Sequence, residues 1–252
     1  MKTCFIYQPQ GTGDIIFTQK IAHHYRSLGY KIVWPLFEYF GWLRPYLAHP
    51  DFSFPLLSND RKIMEPFENS DRFYYLMGST YAIFRKPVHS YDFVYLSLGP
   101  ASMEFDEMMT SKYSVADIDF DNWQKYVKLN RNKLKEDDLF YNVLKLTDNS
   151  EYVLINENCS SHKINIPPVQ GKQNIYIKNV PGYTVFDWIK VIENCQRLIT
   201  VDTSIPIIAD VFMPDHIPRH CINRYAPPTF VDLPKIFKKN WQFCITADDI
   251  KL

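Results

Sequence analysis

The chain lacks an excess of either charge: its 252 residues carry 28 Lys and Arg against 28 Asp and Glu. No basic field draws it to nucleic acid or to an anionic lipid surface, so a neutral ligand, or one held by local groups, fits better. Paired cysteines are also missing. Cys4, Cys159, Cys195, Cys221 and Cys244 are scattered, odd in number and without C-x-x-C spacing. That pattern argues for reduced thiols and against a disulfide framework or a cysteine zinc site. No apolar run reaches bilayer-spanning length, and Met1-Lys2 leads directly into a strand-like run where a signal peptide would need its apolar region. Together these absences predict a soluble, cytoplasmic protein with no transmembrane segment and no nucleic-acid partner. What the chain does have is 46% hydrophobic and 16% aromatic residues, enough to bury one core or two small ones.

The first organising stretch is Gln8-Pro9-Gln10-Gly11-Thr12-Gly13-Asp14-Ile15-Ile16. Lys2 to Tyr7 reads as a strand, and Phe17, Ile21, Tyr25 and Leu28 recur at helical spacing until Gly29 stops the helix. The junction is a βα turn, the place where open α/β sheets put their ligand crevice. Gly11 and Gly13 permit positive φ and close backbone approach, and Asp14 at the helix start serves either as a cap or as a base. Lys31 to Trp34 completes a βαβ unit, and the aromatic segment from Phe37 to Phe54 reads as a short helix and loops. Further strands are predicted at Asp71 to Met77 and Tyr91 to Leu98, the latter running into Gly99-Pro100. A helix is predicted over Ser102 to Val115, with Met103, Met108 and Met109 as packing residues.

Asn122 to Leu146 reads as the most helical part, divided at Lys135-Glu136-Asp137-Asp138, and Thr147-Asp148-Asn149-Ser150 punctuates it. The expected domains are thus 1–146 and 151–252. In the second, strands are predicted at Tyr152 to Asn156, Asn174 to Lys178, Arg197 to Val201 and Arg219 to Ile222. Val185 to Asn194 is a helix with Thr184 and Asp187 as a capping box. Asn156 to Lys163 offers hydroxyls and a lysine for a phosphate, through Asn158, Ser160, Ser161 and Lys163. Asp202-Thr203-Ser204, with Pro206 early in the following helix, offers hydroxyls and a helix N-terminus for phosphate or ribose, or a plain cap.

Gly11-Thr12-Gly13-Asp14 before an apolar helix resembles the amino-terminal motif of the bacterial heptosyltransferase-like glycosyltransferases (glycosyltransferase family 9). Leu198-Ile199-Thr200-Val201-Asp202-Thr203-Ser204, followed by Ala209, resembles their carboxy-terminal strand and helix, and the order and separation of the two motifs agree. The resemblance implies a GT-B-like α/β fold, two Rossmann-like domains facing a central cleft, the first on the acceptor side and the second binding the nucleotide sugar. It implies inverting sugar transfer to a glycan hydroxyl without a metal or other cofactor. Asp14 matches the catalytic base, and Gly11, Thr12, Gly13, Asn158, Ser160, Ser161, Lys163, Asp202, Thr203 and Ser204 are the donor-binding candidates. The sequence departs from the family where Ser204 replaces a glycine and Ile207 a histidine, which leaves the sugar and the base of the donor open.

A dinucleotide fingerprint would need a third glycine where Ile16 stands, and a P-loop would need Gly-Lys-Ser/Thr. Asp117-Ile118-Asp119-Phe120-Asp121 raises a D-x-D metal site of the GT-A type, with Asp117 and Asp119 as ligands, or simply acidic residues before a helix. An EF-hand fails at Asn122 and Lys128. His23-His24 lacks the i, i+4 spacing of a metal pair. A non-catalytic nucleotide or carbohydrate binder remains the alternative of another class, with the aromatic segment stacking sugars.

Overall fold

A computed structural model describes residues 2–57, 87–89, 92–98, 107–159, 163–224, 232–238 and 240–250. The predicted strand at 71–77, Gly99-Pro100, Met103, Ser160 and Ser161 lie outside the described residues. The chain divides into two compact units, Met1–Asn130 and Arg131–Leu252.

In the first unit, β1 (Thr3–Tyr7) is followed by helices Thr12–Phe17 and Gln19–Ser27, then β2 (Lys31–Val33), β3 (Leu36–Phe37), β4 (Phe52–Ser53), β5 (Leu56–Leu57), β6 (Val88–His89) and β7 (Phe93–Ser97). The main sheet runs β4-β2-β1-β7-β6 and is parallel except at its β6 edge, while β3 and β5 pair apart from it. Cys4, Phe5 and Ile6 of β1 are fully buried, as expected of a central parallel strand covered on both faces.

The single helix predicted from the glycine turn to Leu28 is broken at Thr18. The Phe17 carbonyl accepts the Tyr113 hydroxyl at 2.6 Å, and Ile21 N–H turns to Thr18 O at 3.0 Å. A tertiary partner has thus taken the acceptor that would have continued the ladder. Only Thr110–Val115 of the predicted 102–115 helix appears as α-helix among the described residues.

The second unit holds β8 (Tyr152–Asn156), β9 (Gln173–Tyr176), β10 (Arg197–Val201), β11 (Arg219–Ile222) and β12 (Trp241–Cys244), all parallel, in the order β12-β11-β10-β8-β9. The last strand was not anticipated. Val153, Ile155, Ile199, Val201 and Ile222 pack on one face with Ile166 and Cys244. The capping box forms as predicted: Asp187 Oδ2 accepts from Thr184 N–H at 2.7 Å.

The stretch from Asn122 to Leu146 departs from its helical reading. It is a 3-10 turn at Trp123–Tyr126, an irregular link, an α-turn at Lys133–Asp137 and a π-turn at Asp138–Val143. Its last part also belongs to the second unit and not the first. Arg131 holds Glu136 in a two-pronged pair and reaches Glu193 Oε2 at 2.7 Å, while Lys135 Nζ donates to Gly182 O at 2.8 Å. The unit boundary therefore lies at 130/131, before the boundary expected from the polar run at 147–150.

Glu136 is fully buried, so Arg131→Ala leaves its carboxylate without the guanidinium. Urea denaturation is expected to show a loss of about 3 kcal/mol, part of which Glu136→Gln recovers in the Arg131→Ala background. A second expectation concerns acid. Burial, with Arg197 nearby, lowers the His220 pKa from 6.5 to about 4. Burial, together with His49, Arg26 and Lys128, lowers His23 likewise to about 4. Both rings stay neutral in the folded chain while the unfolded chain takes protons below about pH 6.5. Their contribution is therefore complete above that pH and is lost as pH falls towards 4, on the order of 3 kcal/mol for His220. Unfolding free energies of wild type and His220→Leu across this window check it: the variant's slope is shallower by about one proton.

Candidate functional site

Each five-stranded sheet has a place, among the described strands, where strands on the two sides of a central strand are reached in opposite directions. In the first unit the chain steps from β1 out to β2 and β4, and β7 lies on the other side of β1; in the second it steps from β8 to β9, and β10 lies on the other side of β8. Ligand crevices of open α/β sheets form outside the carboxyl ends of strands at such points. The Gly11 to Asp14 turn follows β1, and Asp202-Thr203 follows β10 with Asn156 ending β8.

At the first point Gly11 has φ +82, and a Cβ built there would lie 2.3 Å from Asp14 Oδ2. The carboxylate thus sits over the glycine, a close approach that no side chain at 11 permits. Gly11 is the N-cap, Thr12 and Gly13 open the helix, and Asp14 is the acidic residue of its first turn and not the N-cap itself. Asp14 Oδ1 lies 3.1 Å from Nζ of Lys112, a lysine with a wholly buried side chain. Lys112 also donates to Gln8 Oε1 at 2.8 Å and Leu98 O at 2.7 Å. Gln8 is oriented in turn, its Nε2 donating to Gln10 O at 2.7 Å and its carbonyl accepting Trp34 Nε1 at 3.0 Å.

Beside this turn Phe37 N–H bonds to Pro9 O at 3.0 Å, and the Tyr39 hydroxyl donates to Gln10 Oε1 at 2.8 Å. The Tyr39 ring stacks on Phe37 at 5.7 Å and is nonetheless 64% exposed. An ordered, exposed aromatic face is thereby joined to the glycine turn.

At the second point Asn156 Nδ2 donates to the hydroxyls of Thr200 (3.1 Å) and Thr203 (3.2 Å). Thr203 also accepts from Ile205 N–H at 3.2 Å, capping the helix Ser204–Phe212, and donates to Val201 O at 3.3 Å. Its hydroxyl is fully used. Asp202 is buried, with Arg224 Nε 3.9 Å from its carboxylate. Lys163, the candidate phosphate lysine, is exposed but paired with Glu157 at 2.8 Å. Glu157 in turn is mostly buried and accepts Ile166 N–H at 3.2 Å. Asn158 bridges to Lys163 and donates to Ile177 O at 3.3 Å. A cleft of about 220 Å³ opens past the ends of β8 and β9, lined by Asn156, Asn158, Ile177, Lys178, Tyr183, Thr184 and Trp188 among others.

The D-x-D alternative is not supported. Asp119 accepts Lys20 Nζ at 2.7 Å and its neighbour Asp121 N–H at 2.9 Å, and no group of three or more metal-ligating side chains occurs among the described residues. Nor is any helix there long and apolar enough to cross a membrane.

Gln8 and Lys112 complete the surroundings of Asp14, and neither is marked as a site residue by a sequence motif. Lys112 does leave a trace: Met109, Lys112, Tyr113 and Ala116 recur at i, i+3, i+4 and i+7, placing a charge on the apolar stripe. A lysine there requires a buried partner.

No protein-family model matches the chain, and no curated protein matches it by sequence. Solved structures do. A glycosyl transferase family 9 protein from Veillonella parvula superposes with a TM-score of 0.61 at 12% identity, over 96% of this chain and 86% of that one. The ADP-heptose lipopolysaccharide heptosyltransferase II of Escherichia coli gives 0.57 at 11%, over 100% and 95%. The iron-containing dodecameric glycosyltransferase TibC of enterotoxigenic E. coli gives 0.51 at 10%, over 88% and 57%. The fold is that of these two-domain GT-B glycosyltransferases, as the two sequence motifs had implied.

Gly11→Ala tests the close approach in the first site. The positive φ and the contact with Asp14 should cost about 1 to 3 kcal/mol, measured by thermal melting, and the carboxylate should be pushed away from its place over residue 11, visible in a crystal structure of the variant.

Proposed function

We propose that the protein is a glycosyltransferase that moves a sugar from a nucleotide-sugar donor to a hydroxyl of a glycan or related acceptor, with inversion and without a metal. The observation that carries this reading is the Asp14 carboxylate, held at the reversal point of the first sheet with one oxygen fixed by a buried lysine and the other lying over a glycine. In the proposed step the acceptor oxygen bonds to the anomeric carbon on the face opposite the diphosphate. The bond from that carbon to the diphosphate oxygen breaks, and its electron pair leaves with the diphosphate. The hydroxyl proton passes to Asp14.

The donor is assigned to the second unit, its nucleoside in the cleft past β8 and β9. Its diphosphate is assigned to the N-terminal amides of Ser204–Phe212, with Asn158 and Lys163 around it and Asp202, Thr203 and Ser204 shaping that end; Ser160 and Ser161 stay donor-binding candidates by sequence. For Lys163 this means exchanging the Glu157 carboxylate for a phosphate oxygen. Gly11, Thr12 and Gly13 shape the turn that meets the reacting groups, and the exposed Tyr39 ring offers an apolar face to an acceptor pyranose. Support comes from the shared fold and from one similar structure, TibC, whose complex contains ADP-D-beta-D-heptose. A cytoplasmic location belongs to the same proposal.

The test is transfer from a panel of nucleotide sugars, ADP-heptose included, read as release of nucleoside diphosphate. Asp14→Asn should lower turnover by about 10² to 10⁴ while donor affinity, measured by calorimetry, holds, and chelator should leave the wild-type rate unchanged. Binding of a nucleotide sugar with no turnover under any acceptor would replace this reading with that of a binding protein. A rate abolished by chelator and restored by manganese would remove the metal-free mechanism.

A further inference from the structure

Resting on that reading, we infer that Lys112 is a positioning residue: it fixes Asp14 Oδ1 and so leaves Oδ2 as the atom that receives the acceptor's proton. Its ammonium has three N–H donors and three acceptors in reach, Gln8 Oε1, Leu98 O and Asp14 Oδ1. Two of these are neutral groups at the carboxyl ends of the neighbouring strands β1 and β7. They anchor the ammonium to the sheet, and Asp14 opposes its charge as an ion pair.

A buried cation is a poor choice for stability alone, because an apolar side chain of the same length fills the space without desolvating a charge. Met109 and Tyr113 on the same stripe do that filling already. The charge at 112 makes sense through what it holds. Oδ1 is paired at 3.1 Å while Oδ2 lies over Gly11, so the two oxygens have different surroundings. The Asp14 side chain is still 28% exposed, so the carboxylate is not sealed from a reactant. The same geometry alters what Asp14→Asn reports. Losing the carboxylate charge also strips Lys112 of its ionic partner, so early melting of that variant does not by itself mark Asp14 as structural.

A double-mutant cycle separates the two roles. Lys112→Met, Asp14→Asn and the double variant are compared with wild type for kcat and for donor and acceptor KM. The substrate is whichever nucleotide sugar of the panel wild type turns over, and melting temperatures are recorded alongside. Lys112→Met is expected to lower kcat about tenfold or more while donor KM moves less than about twofold. In the Asp14→Asn background it should have no further effect on kcat, because Lys112 acts only through that carboxylate. Asp14→Asn should lower the melting temperature in the presence of Lys112 and leave it nearly unchanged in the Lys112→Met background. If Lys112→Met does not fold, Gln8→Leu, which removes one anchor of the ammonium, should lower kcat in the same sense by a smaller factor.

An unchanged kcat in Lys112→Met, or an equal loss with and without Asp14, overturns the inference while leaving the transferase reading standing. Absence of turnover in wild type with every donor overturns the transferase reading and this inference with it, whatever the melting cycle shows.

Discussion

A single buried ammonium ties the first unit's functional end together. Lys112 reaches from the helix Thr110–Val115 to the carboxyl ends of β1 and β7 and to the Asp14 turn. Desolvating a charge is costly unless every donor is met and the charge is opposed. That cost constrains the neighbours: Gln8 must present its oxygen, Leu98 its carbonyl, and Asp14 its carboxylate. Gly11 must lack a side chain so that the carboxylate can come close. The glycine turn is thus one side of a charge-neutral cluster, and its residues are explicable only as a set.

The second unit builds the corresponding end from neutral groups as well as charged ones. At its own reversal point the Asn156 amide bridges two threonine hydroxyls, and Thr203 caps the following helix. The amides of that helix are oriented without a buried cation, which suits a polyanionic ligand arriving from solution. Charge is present too: Asp202 is buried with Arg224 Nε 3.9 Å from its carboxylate, and the mostly buried Glu157 is met at 2.8 Å by the exposed Lys163. The two points differ in what opposes their carboxylates: a wholly buried lysine at Asp14, a partly exposed arginine at Asp202 and an exposed lysine at Glu157.

Ion pairs also decide where the chain divides. Residues 133–143 resemble the end of a helical first half when read by periodicity alone. Their charges answer to the second unit: Glu136 to Arg131, and Arg131 onward to Glu193. Between Tyr126 and Lys133 the chain has no regular secondary structure, and Asn130 N–H is bonded to Tyr46 O at 2.8 Å. A polar run such as Thr147 to Ser150 marks a turn, and turns are not boundaries unless packing changes partners across them.

By itself the sequence determined much of the α/β rhythm: β1, β2, β8, β10 and β11, the glycine turn, the Thr184 capping box, and the Asp202-Thr203-Ser204 junction. These are local matters, legible because apolar runs of strand length, positive-φ glycine and helix caps leave marks on adjacent residues. Strand order, the break at Thr18 and the partners of Asp14 were decided only by the tertiary structure. Lys112 lies 98 positions from Asp14 in sequence, Tyr113 takes the Phe17 carbonyl from 96 residues away, and the winding reversals depend on which strand settles beside β1 and β8. Hydrogen bonds and ion pairs between distant residues have no local signature, because each partner alone reads as an ordinary lysine, tyrosine or aspartate until the fold brings them within about 3 Å.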